Sequence, residues 1–380
     1  MANTLTGLID YVYEGADIVS REMVGMIPSV YINGDAAERV GLNQDITYDV
    51  VPPMTAEDDT PSATPPALAD TAFGTGTMKI TKARRVRVHF SGEEEAKLGG
   101  KLGNLTANVF AQAFRTLVNE MEADLGALYK SASRAYGTAG TTPFATAGDF
   151  SDAAEVVKIL KDNGCPTSDL QLVLNTAAGA KMIGKQSRAD IVGSNLGSLQ
   201  QQGILLQTAG AKIRESAAMG SVITKGTGTS YVTSGSTAAG VSDIALVTGS
   251  GTVLAGDVVT FAADSVNKYV IGTGVAAPGT ISLNKPGARV TIATANAMTI
   301  GNSYTPNLAF DRYAIHLLAR LPKIPQGGDA AADEFIMVDP VSGIPFRIAL
   351  YKGVGANQIF VQAAWGVKAV KSEHIAILLG

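Results

Sequence analysis

An α+β fold with an all-β unit set into it is the class this sequence predicts, and three observations predict it. Apolar residues recur at Phe110, Phe114, Leu117, Met121, Leu125 and Leu128, a four-three-four-four-three spacing that draws one stripe along a helix. Strand-like alternation flanks that helix around 46–50 and 80–90 and returns near the end of the chain. Between helix and tail, residues 222–304 shift to Gly, Thr, Ser, Ala and Val with few charges. Short β runs at close spacing, separated by turns such as GSG, APG and KPG, indicate a small barrel or sandwich.

Composition narrows the function classes. A chain of 380 residues is long enough for two or more compact units. Hydrophobic residues make up 46% and charged ones only 17%, so much of the surface must be covered by something other than solvent, and burial between subunits is one solution. Net charge is −4, which argues against a dedicated nucleic-acid reader. The lone Cys165 excludes an intrachain disulfide framework and a Cys-rich metal site. The first residues lack a basic stretch followed by an apolar core, so no signal peptide is read. No apolar run reaches the ~18 residues that span a bilayer. A soluble, cytoplasmically made protein without a membrane partner is expected.

The elements follow in order. Leu5, Ile9, Val12, Ala16, Val19 and Met23 predict an amphipathic helix over 4–27, ended by Pro28 and docked on its own core or on a neighbouring subunit. Ile46, Tyr48 and Val50 then alternate with polar residues, and alternation resumes at Ile80, Val86, Val88 and Phe90. The stretch between, 52–76, is rich in Pro, Ala and Thr and carries too many prolines for a sheet interior. We read a long two-stranded arm with a projecting loop, marginal by itself in water and so leaning on another surface. The returning strand carries Lys79, Lys82, Arg84, Arg85 and Arg87; the tip carries Pro53, Glu57, Asp58 and Asp59. Charge pairing between neighbouring copies and a merely solvated strand face both fit that pattern.

Ser91 and Glu94 suggest a capping box and a short helix stopped at Gly99 and Gly100. The long helix, 105–130, comes next; about 26 residues at 1.5 Å each make a spine of roughly 40 Å. A further helix is expected over 151–162 with Ser151 as cap, a buried strand over 170–175, a helix from 176, and two short strands around a turn within 203–219. The β runs of the inserted unit are placed at 230–233, 244–248, 258–262, 268–271, 280–283, 290–293 and 298–300. Helical character is read again over 307–322, and strands close the chain at 346–351, 359–364 and 375–379.

Motifs that would carry chemistry are sparse. GAKMIGKQ (179–186) matches the first part of a P-loop after a strand, but Gln186 stands where Ser or Thr would hold the metal. His89, His316 and His374 lie far apart, with His89 in a strand pattern and His316 in an apolar stretch read as helix. Cys165 shows no His partner, and no nucleophile elbow occurs. No catalytic, cofactor-binding or metal-binding residue is assigned, and assembly is the activity left.

Several stretches, in a consistent order along most of the chain, resemble the coat proteins of tailed bacteriophages: MKITKARRVRVHFSGEEEAKLGG, NVFAQAFRTLVNEMEADLGALY, LQLVLNTAAGAKMI and GIPFRIALYKGVGANQIFVQAAWGVKAVKSEHIAILLG. GDVVTFAADSVNKYVIGTG, within the insert, is similar to the extra β-barrel domain of the short-tailed-phage branch. The resemblance implies a Hong-Kong-97-type capsid fold. It would have an N-terminal arm (1–30), a peripheral region (31–140) with extended loop 46–90 and the spine, a discontinuous axial and peripheral core (141–221 and 305–380), and the inserted β domain (222–304). It further implies a non-enzymatic major capsid protein without cofactors. Many copies would form an icosahedral shell around double-stranded DNA, through a procapsid built with scaffolding and portal proteins in the host cytoplasm. Pro53, Glu57, Asp58, Asp59, Arg84, Arg85 and Arg87 are the residues expected at contacts between copies. An encapsulin-type compartment shares this fold expectation, while a P-loop enzyme and a secreted adhesin-like β protein are the other rivals.

Overall fold

The computed structural model describes residues 9–22, 25–50, 61, 74–93, 102–145, 150–186 and 209–380. The first helix, α1 (Ile9–Glu22), buries Val12, Ala16 and Val19 as the spacing predicts; Leu5 and Met23 lie outside the described residues. Gly15 lets α1 approach the spine, since a Cβ there would lie 2.8 Å from the Ala111 nitrogen and 3.0 Å from the Ala107 oxygen. After a 3-10 turn at Ile27–Ser29 comes β1 (Tyr31–Val40), which the sequence analysis did not foresee. Its residues, YINGDAAERV, have little β propensity, and it sits at a sheet edge with a register break between Asp35 and Arg39.

A two-stranded antiparallel pairing forms here, but its second strand is not the one expected. β2 (Asp45–Val50) pairs antiparallel with β3 (Gly74–Lys79), not with the basic strand β4 (Lys82–Ser91). Alternation gives a strand's faces and says nothing of its partner. Here GTGTMK, weak in apolar residues, is accepted because the Tyr48 ring lies across its cross-strand partner Gly76, filling the place a side chain would take. The tip, with Pro53, Glu57, Asp58 and Asp59, lies outside the described residues, as do Glu94 and the short helix expected after Ser91. Ser91 itself closes β4.

The spine is α2 (Leu102–Gly126), continued by a 3-10 turn at Ala127–Ser131. Phe110, Phe114, Leu117, Met121 and Leu125 are all fully buried on it. The short β5 (Arg134–Tyr136) follows. Next, α3 (Ser151–Asp162) starts at an N-cap of Phe150 without a side-chain cap, so the cap expected from Ser151 is one residue out and Ser151 is the first helical residue. β6 (Leu170–Leu174), buried throughout, leads into α4 (Thr176–Gln186), and β7 (Ala211–Glu215) follows the turn at Ala209 and Gly210. Of the two strands expected within 203–219, the first falls outside the described residues.

Residues 222–304 hold β8 (Val232–Thr233), β9 (Asp243–Val247), β10 (Val258–Phe261), β11 (Asp264–Thr273), β12 (Thr280–Leu283) and β13 (Met298–Ile300). The run expected at 290–293 is not a strand; only Ile292 makes a bridge, to Thr237. Beyond it, the helix read over 307–322 is corrected. β14 (Pro306–Asp311), a 3-10 turn at Arg312–Ala314 and β15 (Ile315–Pro322) occupy those residues. Both strands are buried on both faces, so their apolar residues run together without alternation, a pattern that periodicity cannot tell from a buried helix. The chain ends with β16 (Asp333–Val338), β17 (Pro345–Lys352), β18 (Ala356–Ala369) and β19 (Ile375–Leu379).

These strands form two large sheets and the arm hairpin. The 14-residue β18 organises the first. β4 pairs with one edge of it over 356–365, while β17 and β15 share the other edge in succession, carrying β16 and β1 outside them. Helices α1 and α2 cover one face, where Phe114 meets Phe346 edge-on at 5.0 Å and Trp365 is fully buried. The second sheet runs β7-β6-β14-β19-β5-β11-β12-β9-β8, with α3 and α4 packed on its first part through Val156, Leu160, Met182 and Leu378. In the inserted unit, pairing also passes from β11 to β10 and β13, and a bridge from Val232 to Ala297 leads back to β8, so the strands close a ring. Tyr231, Ile244, Phe261, Tyr269, Ile271 and Ile281 fill it.

Candidate assembly surface

Strand period sorts the basic residues of β4 into two sets. Lys82, Arg84, Val86 and Val88 point toward the spine; Arg85, Arg87 and His89 point to the opposite face. Lys82 Nζ donates to Glu120 Oε1 at 2.9 Å and to Asp124 Oδ1 at 2.7 Å, and Arg84 Nε donates to Glu120 at 3.1 Å. The indole of Trp365 donates to the other Asp124 oxygen at 2.9 Å. Glu120 and Asp124 stand one helical turn apart, which is why one lysine reaches both. Burial pushes the Glu120 carboxyl up, but Lys82 and Arg84 more than reverse it and hold the group below the usual range. Burial lowers the Lys82 ammonium, and its two carboxylates outweigh that and raise it. Arg84, expected between copies, is thus engaged within its own chain.

Of the outward set, Arg85 and Arg87 meet no carboxylate among the described residues. Arg85 lies over the Phe360 ring at 5.1 Å, and Tyr351 packs on the same ring at 4.7 Å. Arg87, directly across from Phe360, is exposed and has no ion-pair partner among the described residues. On the same sheet face Ile336 and Val338 of β16 are exposed. Glu334 beside them is held by Arg39 at 2.9 Å and by the buried Arg347 at 2.8 Å.

The arm root crosses one end of this face. Val40, Met78, Ile80, Leu318 and Ala364 form a small apolar cluster there. Gly366 makes the crossing feasible: a Cβ on it would fall 1.9 Å from the Lys79 carbonyl oxygen. Thr81 N donates to Trp365 O at 3.0 Å, and Lys368 Nζ donates to Thr77 O at 2.6 Å. Tyr48 leans toward His316, 6.1 Å between ring centres, and His316 stacks on Tyr31 at 4.8 Å. So His316 is a strand residue at the arm root, not a helix residue; burial pushes its imidazole below the usual value.

A second joint went unnoticed in the sequence. Glu122, buried on the spine, accepts from the Met26 and Ile27 N–H groups, both at 2.8 Å, and from Ser216 Oγ at 2.9 Å. It thereby satisfies the first N–H groups of the 3-10 turn and ties the segment after α1 to the spine. The legible signal is its place four residues after buried Val118 and three before Leu125.

The chemical leads dissolve. GAKMIGKQ lies within the continuous helix α4, where its N–H groups are committed to the helix instead of forming a phosphate cradle. Cys165 is buried, with its thiol pushed up to about 12 by burial. His89 is exposed on β4, and His374 is buried with its imidazole lowered by that burial. A cleft of about 540 Å³ beside the spine is lined by Val19, Glu122, Glu215 and Ser216, and the Ser216 hydroxyl there donates to the same Glu122 carboxylate that holds the Met26 and Ile27 N–H groups. Among the described residues no three His, Cys, Asp or Glu side chains gather as metal ligands, and no helix is long and apolar enough to cross a membrane.

No protein-family model matches the sequence, and no curated protein matches it. Solved structures similar to the chain include the capsid of cyanophage P-SCSP1u, at 11% identity and a TM-score of 0.48, covering 92% of this chain and 86% of that one. Another, from Mycobacterium phage Che8, has 12% identity and a TM-score of 0.44 over 88% and 84% of the two chains. A virus-like particle from Pyrococcus furiosus has 8% identity and a TM-score of 0.44, over 98% of this chain and 99% of that one. All of these TM-scores lie below 0.5.

Proposed function

We propose that this protein is a shell-forming subunit, and more specifically a phage major capsid protein whose copies enclose double-stranded DNA. One observation carries the reading. The six-stranded sheet is covered by α1 and α2 on one face; on its other face, among the described residues, the arm root crosses one end and Arg347 is buried beneath Asp329 and Glu334, while Arg87, Ile336 and Val338 stay exposed, and the described part of the arm hairpin has that small root cluster for a core. A two-stranded ribbon of this kind is marginal alone and is completed by a second surface. In this reading α1 and the segment to 30 are the N-terminal arm, β2–β3 with the tip is the extended loop, and residues 222–304 are an inserted barrel domain. The second sheet with α3 and α4 belongs to the discontinuous core. Scaffolding and portal proteins, procapsid maturation and assembly in a host cytoplasm go with it.

The test is to express the chain with and without its neighbouring genes and examine the product by electron microscopy. Closed particles are expected, filled with DNA when the packaging genes are present. Particles filled with a protein cargo instead would move the reading to a cellular compartment. A protein that stays monomeric under every co-expression condition would overturn it. Deleting residues 53–71 is expected to leave a folded subunit that assembles poorly.

A further inference from the structure

Four features on one face of β4 and β18 point to a particular occupant. Of the cations on the basic strand, Lys82 and Arg84 are satisfied by Glu120 and Asp124, whereas Arg85 and Arg87 face away from the spine and meet no carboxylate among the described residues. Phe360 lies beside them as an aromatic floor, with Arg85 stacked on it. The acids described at that sheet face are already bound, Glu334 by Arg39 and Arg347, and Asp329 by Arg347 and the Tyr351 hydroxyl. And the chain itself carries a run of three acids, Glu57, Asp58 and Asp59, set between Pro52–Pro53 and Pro61 in the loop beyond β2.

We infer that the Arg85–Arg87–Phe360 stripe is the seat of the acidic, proline-flanked tip of a second copy of this chain. This inference rests on the shell-subunit reading. The tip has the matching chemistry: carboxylates for two guanidiniums, and prolines, whose rings pack on an aromatic floor with little conformational entropy to lose. Glu57 stands seven residues on from Val50, the last of β2, and at about 3.3–3.6 Å per residue that length of chain can span at most roughly 25 Å. Arginine pairs of this kind set register and choice of neighbour more than they add raw affinity.

Charge reversal tests it. One variant carries Arg85→Glu and Arg87→Glu, a second carries Glu57→Lys, Asp58→Lys and Asp59→Lys, and a third combines all five. Thermal midpoints of the soluble subunits establish that each is folded, and sedimentation gives the fraction in particles. Each single set is expected to lower particle yield about tenfold or more, and the combined chain to recover most of it. Mixing the two single-set variants is also expected to restore particles. Single sets that assemble like the parent, or a combined chain no better than either, would overturn the pairing. Recovery in the combined chain without recovery on mixing would place the contact within one chain and remove the neighbour.

A second measurement does not depend on assembly. A synthetic peptide of residues 52–66 is expected to bind the soluble subunit, about tenfold more weakly when salt is raised or when Arg85→Glu and Arg87→Glu are present. Equal binding to parent and variant would reject the seat even if shells form. Failure of every protein to form particles while the peptide discriminates would reject the shell reading and leave the seat standing.

Discussion

Residues 222–304 and the arm at 45–79 are both built from short strands rich in Gly and Thr, yet they solve the problem of stability in opposite ways. The first of these closes its strands in a ring, buries Tyr231, Phe261, Tyr269 and four isoleucines within it, and turns its corners at glycines with positive φ such as Gly249 and Gly287. The backbone of Gly249 lies so close to Ser230–Tyr231 that a Cβ would meet the Tyr231 nitrogen at 2.8 Å. Residues 222–304 are further fixed to the spine's end, where Asn284 donates to the Lys130 and Ala132 carbonyls at 2.8 and 2.7 Å and Tyr304 packs edge-on to Tyr129 at 6.4 Å. Among its described residues the arm has two strands, a Tyr48 ring over Gly76, and a root cluster of five buried residues. The contrast teaches that strand content alone does not say whether a segment is finished; the closing of hydrogen-bonded edges over a core does.

Substitutions can break this contrast, and they are ranked here by expected loss of subunit stability. Phe261→Ala, in the ring's core, should cost about 3–5 kcal/mol in chemical denaturation, with loss centred on 222–304. A cost below about 1 kcal/mol would mean that the unit is not a packed core. Glu122→Ala comes next. It leaves the Met26 and Ile27 N–H groups buried without an acceptor, and about 3 kcal/mol is expected, with hydrogen exchange rising first at those two amides.

Lys82→Ala should cost no more than about 1 kcal/mol, because its ion pairs are part-exposed. Its pH dependence has a definite sign. Glu120 is held below its ordinary value, so its contribution is present above the usual carboxylate range and is lost as pH falls through the folded value. Lys82 is raised, so its contribution is present below the usual lysine value and is lost as pH rises through the folded one. The difference between parent and variant should therefore be flat near neutrality and shrink in strong acid and strong base. Tyr48→Ala, in the arm, should change subunit stability least, by under about 1 kcal/mol, while reducing particle yield. If it destabilises the isolated subunit as much as Phe261→Ala does, the arm is a finished part of the monomer and the contrast fails.

Much of this architecture was legible from residue spacing. The stripe from Phe110 to Leu125 is buried as drawn, β12 and β19 have the bounds their apolar runs suggested, and β13 lies where Met298–Ile300 placed it. What escaped notice shares one cause: it depends on what a segment meets, not on what it contains. Leu308–Phe310 and Leu317–Leu321 are buried from both sides and so lose the alternation of a half-exposed strand. The pairing of β2 with GTGTMK instead of with the basic strand is decided by Gly76 under Tyr48 and by Gly366 under Lys79. Of the candidate surface, the basic residues were legible. Their division into a spine-facing pair and an outward pair needed the register of β4 on β18.

The burial of Cys165 has a practical consequence. It is the chain's single thiol, three residues past α3 in a cluster with Leu160, and its raised pKa keeps it almost wholly protonated at neutral pH. Maleimide or iodoacetamide reagents should therefore pass it by in the folded subunit. A cysteine introduced at Val354, on the exposed hairpin between β17 and β18, would then be the one reactive handle, so a dye, a spin label or a peptide could be mounted at a single known address per polypeptide.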